Sequence, residues 1–153
     1  MGDSQKMKQL IKKLTKEEFR IPDEANVKKL RELNIPDYFV DFLIDFEPVR
    51  RTFIGNVRLL PIAEIIEENK DYVPGADVYP SGFTVFASTI TGDAYCFNMN
   101  TKNEINENDI YLVSHEESFE NEDVNFVISK SVFVADSFVN LIEENIRIEE
   151  EDT

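Results

Sequence analysis

This 153-residue chain holds one cysteine and one histidine. A single cysteine permits no intramolecular disulfide, which suits a reducing compartment. Cys96 lies inside an apolar run and reads as a buried, inert thiol. With one histidine, any Ser-His-Asp or Cys-His arrangement has to use His115 with a nucleophile from elsewhere, and the chain contains no G-x-S-x-G. Zinc sites built on Cys and His need more ligands than one of each. The EF-hand spacing D-x-[DN]-x-[DN]-G is absent, as are the P-loop and G-x-G-x-x-G. The expectation is no catalytic residue, no metal and no cofactor. No apolar run reaches 18 residues, and lysines interrupt Met1 to Lys16. A soluble cytoplasmic protein that neither spans nor binds a membrane is expected.

Basic residues are also scarce. Sixteen Lys and Arg face 31 Asp and Glu, for a formal net charge of −15. Such a field repels nucleic acid and anionic lipid and favours a basic protein partner. Solubility alone is the plainer explanation of the same acidity. The imbalance is uneven: residues 1–34 carry nine basic and six acidic side chains, a net of +3, and the remaining 119 carry seven and 25, a net of −18.

What is present is core material. Hydrophobic content of 42% with 12 Phe supports one folded domain over 1–153 that buries roughly 70% of its unfolded surface. Phe83 to Met99 reads F-T-V-F-A-S-T-I-T-G-D-A-Y-C-F-N-M, two uncharged aromatic and β-branched runs around Thr91-Gly92-Asp93. This predicts a hairpin at the centre of a sheet, with Gly92 free to take positive φ. Met7, Leu10, Ile11 and Leu14 make one face of a first helix, with the lysines of its other face solvated. Asp23 caps a second helix through Val27, Leu30 and Leu33. Pro36 starts a third, whose Tyr38, Phe39, Phe42, Leu43 and Phe46 form the main cover of the sheet.

Farther on, Phe53 to Leu60 reads as a strand with a bulge or tight turn at Gly55-Asn56. Pro61 starts a short helix through Ile62, Ile65 and Ile66, and the Pro- and Gly-containing Tyr72–Gly82 is a loop. Ile110–Val113 is a strand, Val124–Ile128 a last strand, and Ser131–Ile148 a closing helix before a solvated tail at Glu149–Thr153. The expected fold is α+β: helices over about 4–46, a mostly antiparallel sheet over about 52–128 covered by helices, and a C-terminal helix over about 134–148.

Two local features carry possible chemistry. Asp93 beside Gly92 is either a functional carboxylate or a turn-forming Asp. His115, at the end of a strand, is either a pH-sensitive contact or a solvent-facing ring. Between Glu116 and Asp123 the chain reads E-E-S-F-E-N-E-D, an acidic loop around one aromatic.

Several pieces, in order, resemble the SUKH superfamily, whose members include the fungal regulator of cell-wall assembly and glucan synthesis and many bacterial immunity proteins of polymorphic toxin systems. Pro36, Tyr38, Phe39, Phe42 and Leu43 resemble the helix that precedes its sheet, and R-L-L-P-I-A-E-I-I the segment that leads to its variable loop. Gly92-Asp93-Ala94-Tyr95-Cys96-Phe97 matches the central glycine-aspartate-x-aromatic pattern, and Val134-Ala135-Asp136-Ser137-Phe138 is similar to the start of the last helix. Together they span about 35–145. The chain departs where Glu47-Pro48-Val49-Arg50-Arg51 replaces a glycine-rich stretch, and Glu116–Asp123 has no fixed family counterpart.

The resemblance implies a SUKH-like fold and a non-enzymatic protein-binding module. Foremost is an immunity protein that neutralises a basic toxin domain, such as a nuclease, by direct binding. On that reading Glu116, Glu117, Glu120, Glu122 and Asp123 are contact charges and Phe119 an apolar anchor. A regulatory scaffold is the first alternative. A small-ligand binder using a cleft beside Asp93 and Asp136 is the second.

Overall fold

The computed structural model describes residues 2–152. In chain order the elements are α1 (Gly2–Thr15), β1 (Phe19–Arg20), α2 (Glu24–Arg31), α3 (Asp37–Leu43), β2 (Glu47–Pro48), β3 (Thr52–Ile54), β4 (Val57–Leu59), α4 (Ile62–Lys70), α5 (Gly75–Val78), a 3-10 turn (Tyr79–Ser81), β5 (Phe83–Ser88), β6 (Ala94–Asn98), β7 (Ile110–Val113), α6 (Val124–Lys130), β8 (Val132–Ala135) and α7 (Phe138–Glu151). Strands β3 to β8 form one antiparallel sheet in sequential order, and β1 pairs with β2 separately. The fold is α+β, as the sequence predicts.

Every residue of β5 and β6 is buried, because this central hairpin feeds a core on each face of the sheet. On one face Phe86, Tyr95, Phe97 and Ile110 meet α3 and α7. Phe39 stands edge-on to Phe86, Phe97 and Phe138 with centroids 5.2–5.5 Å apart, and Phe42 reaches Phe138 at 4.9 Å. Aromatic edges directed at ring faces add specificity to burial. On the other face Phe83, Val85, Ala94, Cys96 and Val113 pack with Val78, Phe119 and Val127. The Cys96 thiol has its pKa pushed up by burial and by the Glu68 charge, which suits inert core.

Three predicted segments are corrected. Val124–Ile128 is helix α6 and not a strand: the Asp123 carboxylate accepts the Phe126 N–H at 2.9 Å, an N-cap that starts helix where composition alone suggests sheet. The last helix starts at Phe138, not near 134. Val132–Ala135 is the final strand, paired with β7, so the sheet runs to 135. Its β-branched run is compatible with either period, and a neighbouring strand decides the outcome. Tyr72–Gly82, read as a loop, contains α5 and the 3-10 turn.

Smaller differences follow the same logic. Pro36 is the cap before α3, one residue earlier than expected. Lys8, placed among the solvated lysines, is buried with its Nζ 2.6 Å from Asp45 and over the Phe42 ring. Of the predicted tail, Glu149–Glu151 is helical, and Thr153 lies outside the described residues.

Candidate functional site

The acidic segment begins where β7 ends. His115 follows Val113 and Ser114 and turns back onto the β5–β6 turn. That turn is closed by Gly92 N–H donating to the Thr89 carbonyl at 3.1 Å and Thr89 N–H donating to the Asp93 carbonyl at 2.9 Å. Gly92 has φ +95°, and a Cβ there would meet only the His115 ring at 3.9 Å or more. Its glycine therefore answers to backbone conformation and not to crowding.

Asp93 clasps the start of the segment. Its Oδ1 accepts the His115 N–H at 3.0 Å and lies 2.6 Å from His115 Nδ1, while the Glu116 carboxylate stands 3.9 Å from Nε2. Burial pulls the Asp93 carboxyl upward, but the hydrogen bonds from His115, the His115 charge and the Thr91 hydroxyl outweigh it and hold its pKa below the usual value. The turn aspartate and the strand-end histidine, read separately in the sequence, are thus one contact.

Phe119 pins the middle of the segment. It is 0% exposed and meets Phe126 edge-on at 6.1 Å. The expected apolar anchor for a partner is therefore corrected: the only aromatic of the loop belongs to the core because the loop folds over the sheet. Around it the Glu122 N–H donates to the Phe119 carbonyl at 3.1 Å, and Ser81 Oγ donates to the Glu122 carbonyl at 2.7 Å. Glu116, Glu117, Glu120 and Asp123 are exposed and Glu122 is half-buried. Asp123 also caps α6, so one carboxylate has a structural duty.

The remaining motif positions serve the fold. Tyr95 is buried against Phe86, Ser137 Oγ caps α7 by accepting the Asn140 N–H at 3.1 Å, Asp136 accepts from the Asn140 side chain at 2.7 Å, and Phe138 joins the aromatic cluster. Asp93 and Asp136 share no cleft. Ala94 pairs with Val113, whereas Ala135 pairs with Ile110, which puts the two carboxylates at opposite ends of β7. A groove of about 1090 Å³ lies instead between α1, α3 and α7, with Leu10, Phe42, Phe138 and Ile146 in its wall. At its rim the Tyr38 hydroxyl donates to Asn108 Oδ1 at 3.1 Å and accepts the Asn108 N–H at 3.3 Å; burial pushes its pKa up to about 12, against that N–H and with the help of the Glu107 charge.

Among the described residues no group of three or more His, Cys, Asp or Glu is arranged to hold a metal ion, and no helix is long and apolar enough to cross a membrane.

Comparison with known proteins adds one finding. The family model described as SMI1 / KNR4 family (SUKH-1) matches residues 15–144, from the end of α1 into α7. No curated protein and no solved structure matches the chain.

Proposed function

The chain belongs to the SMI1 / KNR4 family (SUKH-1), whose members are generally non-enzymatic immunity or regulator proteins, and from that premise we propose that it is an immunity protein that neutralises a basic toxin domain by direct binding. The observation that carries this reading is the 116–123 segment. Its exposed carboxylates are held outward on a loop secured by Phe119 beneath and by the Asp93–His115 contact at its start. A preorganised row of negative charge speeds encounter with a cationic surface and selects against acidic ones. The net charge of −15 favours the same class of partner.

The test begins with capture from the native host on the immobilised protein, washed at low and then high salt. A basic toxin domain should be retained at low salt and released at high salt, and co-expression of this chain should protect cells from it. The variant Glu116→Gln, Glu117→Gln, Glu120→Gln, Glu122→Gln, Asp123→Asn keeps a capping oxygen at 123 while it removes five charges. Its association with the captured domain should slow roughly tenfold or more at low salt. Unchanged affinity would take the site away from this loop. Recovery only of biosynthetic or signalling proteins insensitive to salt would overturn the immunity reading in favour of a regulatory scaffold.

A further inference from the structure

The two edges of the sheet are treated differently. At the β3 edge α1 and α7 pack against the strand, and Asn145 and Glu149 of α7 accept the N–H groups of Asn56 and Gly55 in the β3–β4 turn at 2.8 and 2.9 Å. At the other edge β8 pairs with β7 on one side only. Among the described residues, no hydrogen bond outside that ladder reaches Val132, Phe133, Val134 or Ala135.

This edge is apolar as well as open. Val132 is 61% and Phe133 53% exposed, and as consecutive strand residues they lie on opposite faces. Natural proteins blunt free edges with proline, with charged side chains on the strand or with a covering element. V-F-V-A holds no proline and no charged residue; what blunting it has lies in its four-residue length and in the bulge at Val134 opposite Ile110–Tyr111.

Charge identifies the occupant. Because β7 is antiparallel to β8, with Leu112 opposite Val132, the chain from Ser114 to Glu117 emerges beside the start of β8. At its other end stands exposed Asp136, whose carbonyl accepts from Asn103, so the loop with Glu104 and Glu107 is tied there. Residues 99–137 hold nine carboxylates and two lysines, a net of −7. A second copy of the chain would meet the same field with the same sign. A basic segment would find it attractive.

We propose that the β8 edge takes up an extended segment of a partner polypeptide by strand addition, with lysine or arginine flanking an apolar residue of that segment. Main-chain hydrogen bonds to β8 supply the affinity, Val132 and Phe133 supply apolar contact, and the flanking carboxylates set the preference for a cationic sequence. The inference rests on the partner-binding reading only in taking the partner to be a protein.

The probe is a synthetic nine-residue peptide of alternating lysine and valine, titrated into the full chain while backbone amide signals and hydrogen exchange are recorded. Binding should shift and protect amides of Val132–Ala135. Methylation of alternate peptide nitrogens should weaken binding at least tenfold at unchanged charge, and a glutamate-valine peptide should not bind. Val132→Lys should abolish the effect with the thermal midpoint preserved; Phe133→Thr is a second variant should the first perturb the fold. No binding, equal binding of the methylated peptide, or shifts confined to other elements would overturn the proposal. So would a Val132-dependent dimer without peptide binding, which assigns the edge to a second copy. The peptide can fail while a toxin domain is still captured, and it can bind when none is, so the two readings are separable.

Discussion

Asn69, on α4, takes both backbone polar groups of Val85: its Nδ2 donates to the Val85 carbonyl at 2.9 Å and its Oδ1 accepts the Val85 N–H at 2.8 Å. β4 pairs with β5 only at Ala87 and Ser88, so a helix side chain stands where a longer strand would continue the ladder. The register shift between Val85 and Ala87 falls at the same place.

Asn69→Ala should therefore leave a buried N–H and a buried C=O unpaired and cost about 2–6 kcal/mol, since each orphaned buried group costs on the order of 1–3 kcal/mol. Urea denaturation measures it. A loss below about 1 kcal/mol would show that water substitutes for the amide.

Asp93 has a direction in pH. Its carboxyl is held below its ordinary value in the fold, so its contribution is fully present above the unfolded pKa and is lost as pH falls through the lower folded one. The stability gap between the wild type and Asp93→Asn should shrink as pH falls below about 4. A gap unchanged down to about pH 2 would mean that Asp93 does not titrate against His115 as the geometry implies.

Lys8 and Asp45 separate charge from packing. The Lys8 side chain is 7% exposed and Asp45 47%, and the Lys8 ammonium lies 5.0 Å from the Phe42 ring centre. Asp45→Asn should cost about 1–2 kcal/mol, less than a fully buried pair would, because water screens the exposed partner. Adding Lys8→Met should recover most of it, as an apolar side chain fills the same space without an unpaired charge. A double-mutant cycle by thermal denaturation decides.

Phe119 and its acidic neighbours should part company. Phe119→Ala should cost about 3–5 kcal/mol through the cavity it leaves and should raise amide exchange across 114–123. Glu116→Gln or Glu120→Gln should stay within about 0.5 kcal/mol of wild type. If Phe119→Ala proved as mild as the glutamate changes, the loop would not depend on its anchor.

Much of the architecture is legible in short stretches. The period of Met7, Leu10, Ile11 and Leu14 marks α1, Asp23 marks the start of α2, and the uncharged runs around Gly92 mark β5 and β6. The errors cluster where local preference is balanced. Val124–Ile128 and Val132–Ala135 are both short and apolar, and they fold as helix and strand respectively. An N-cap settles the first and pairing with β7 the second, and only the cap lies within three residues of its effect.

The site divides in the same way. That the 116–123 segment is acidic follows from composition. That Asp93 meets His115 is decided by a contact between residues 22 positions apart, that Phe119 faces inward by the core it shares with Val78, Phe83 and Cys96, and that β8 is the uncovered edge by the order of strands. The sequence by itself determined the secondary-structure periods, the α+β class and the sign of the surface, because these depend on neighbours within a few residues or on simple sums. Tertiary structure alone decided which carboxylates are held outward and which edge stays open, because burial and strand pairing depend on what the rest of the chain brings alongside.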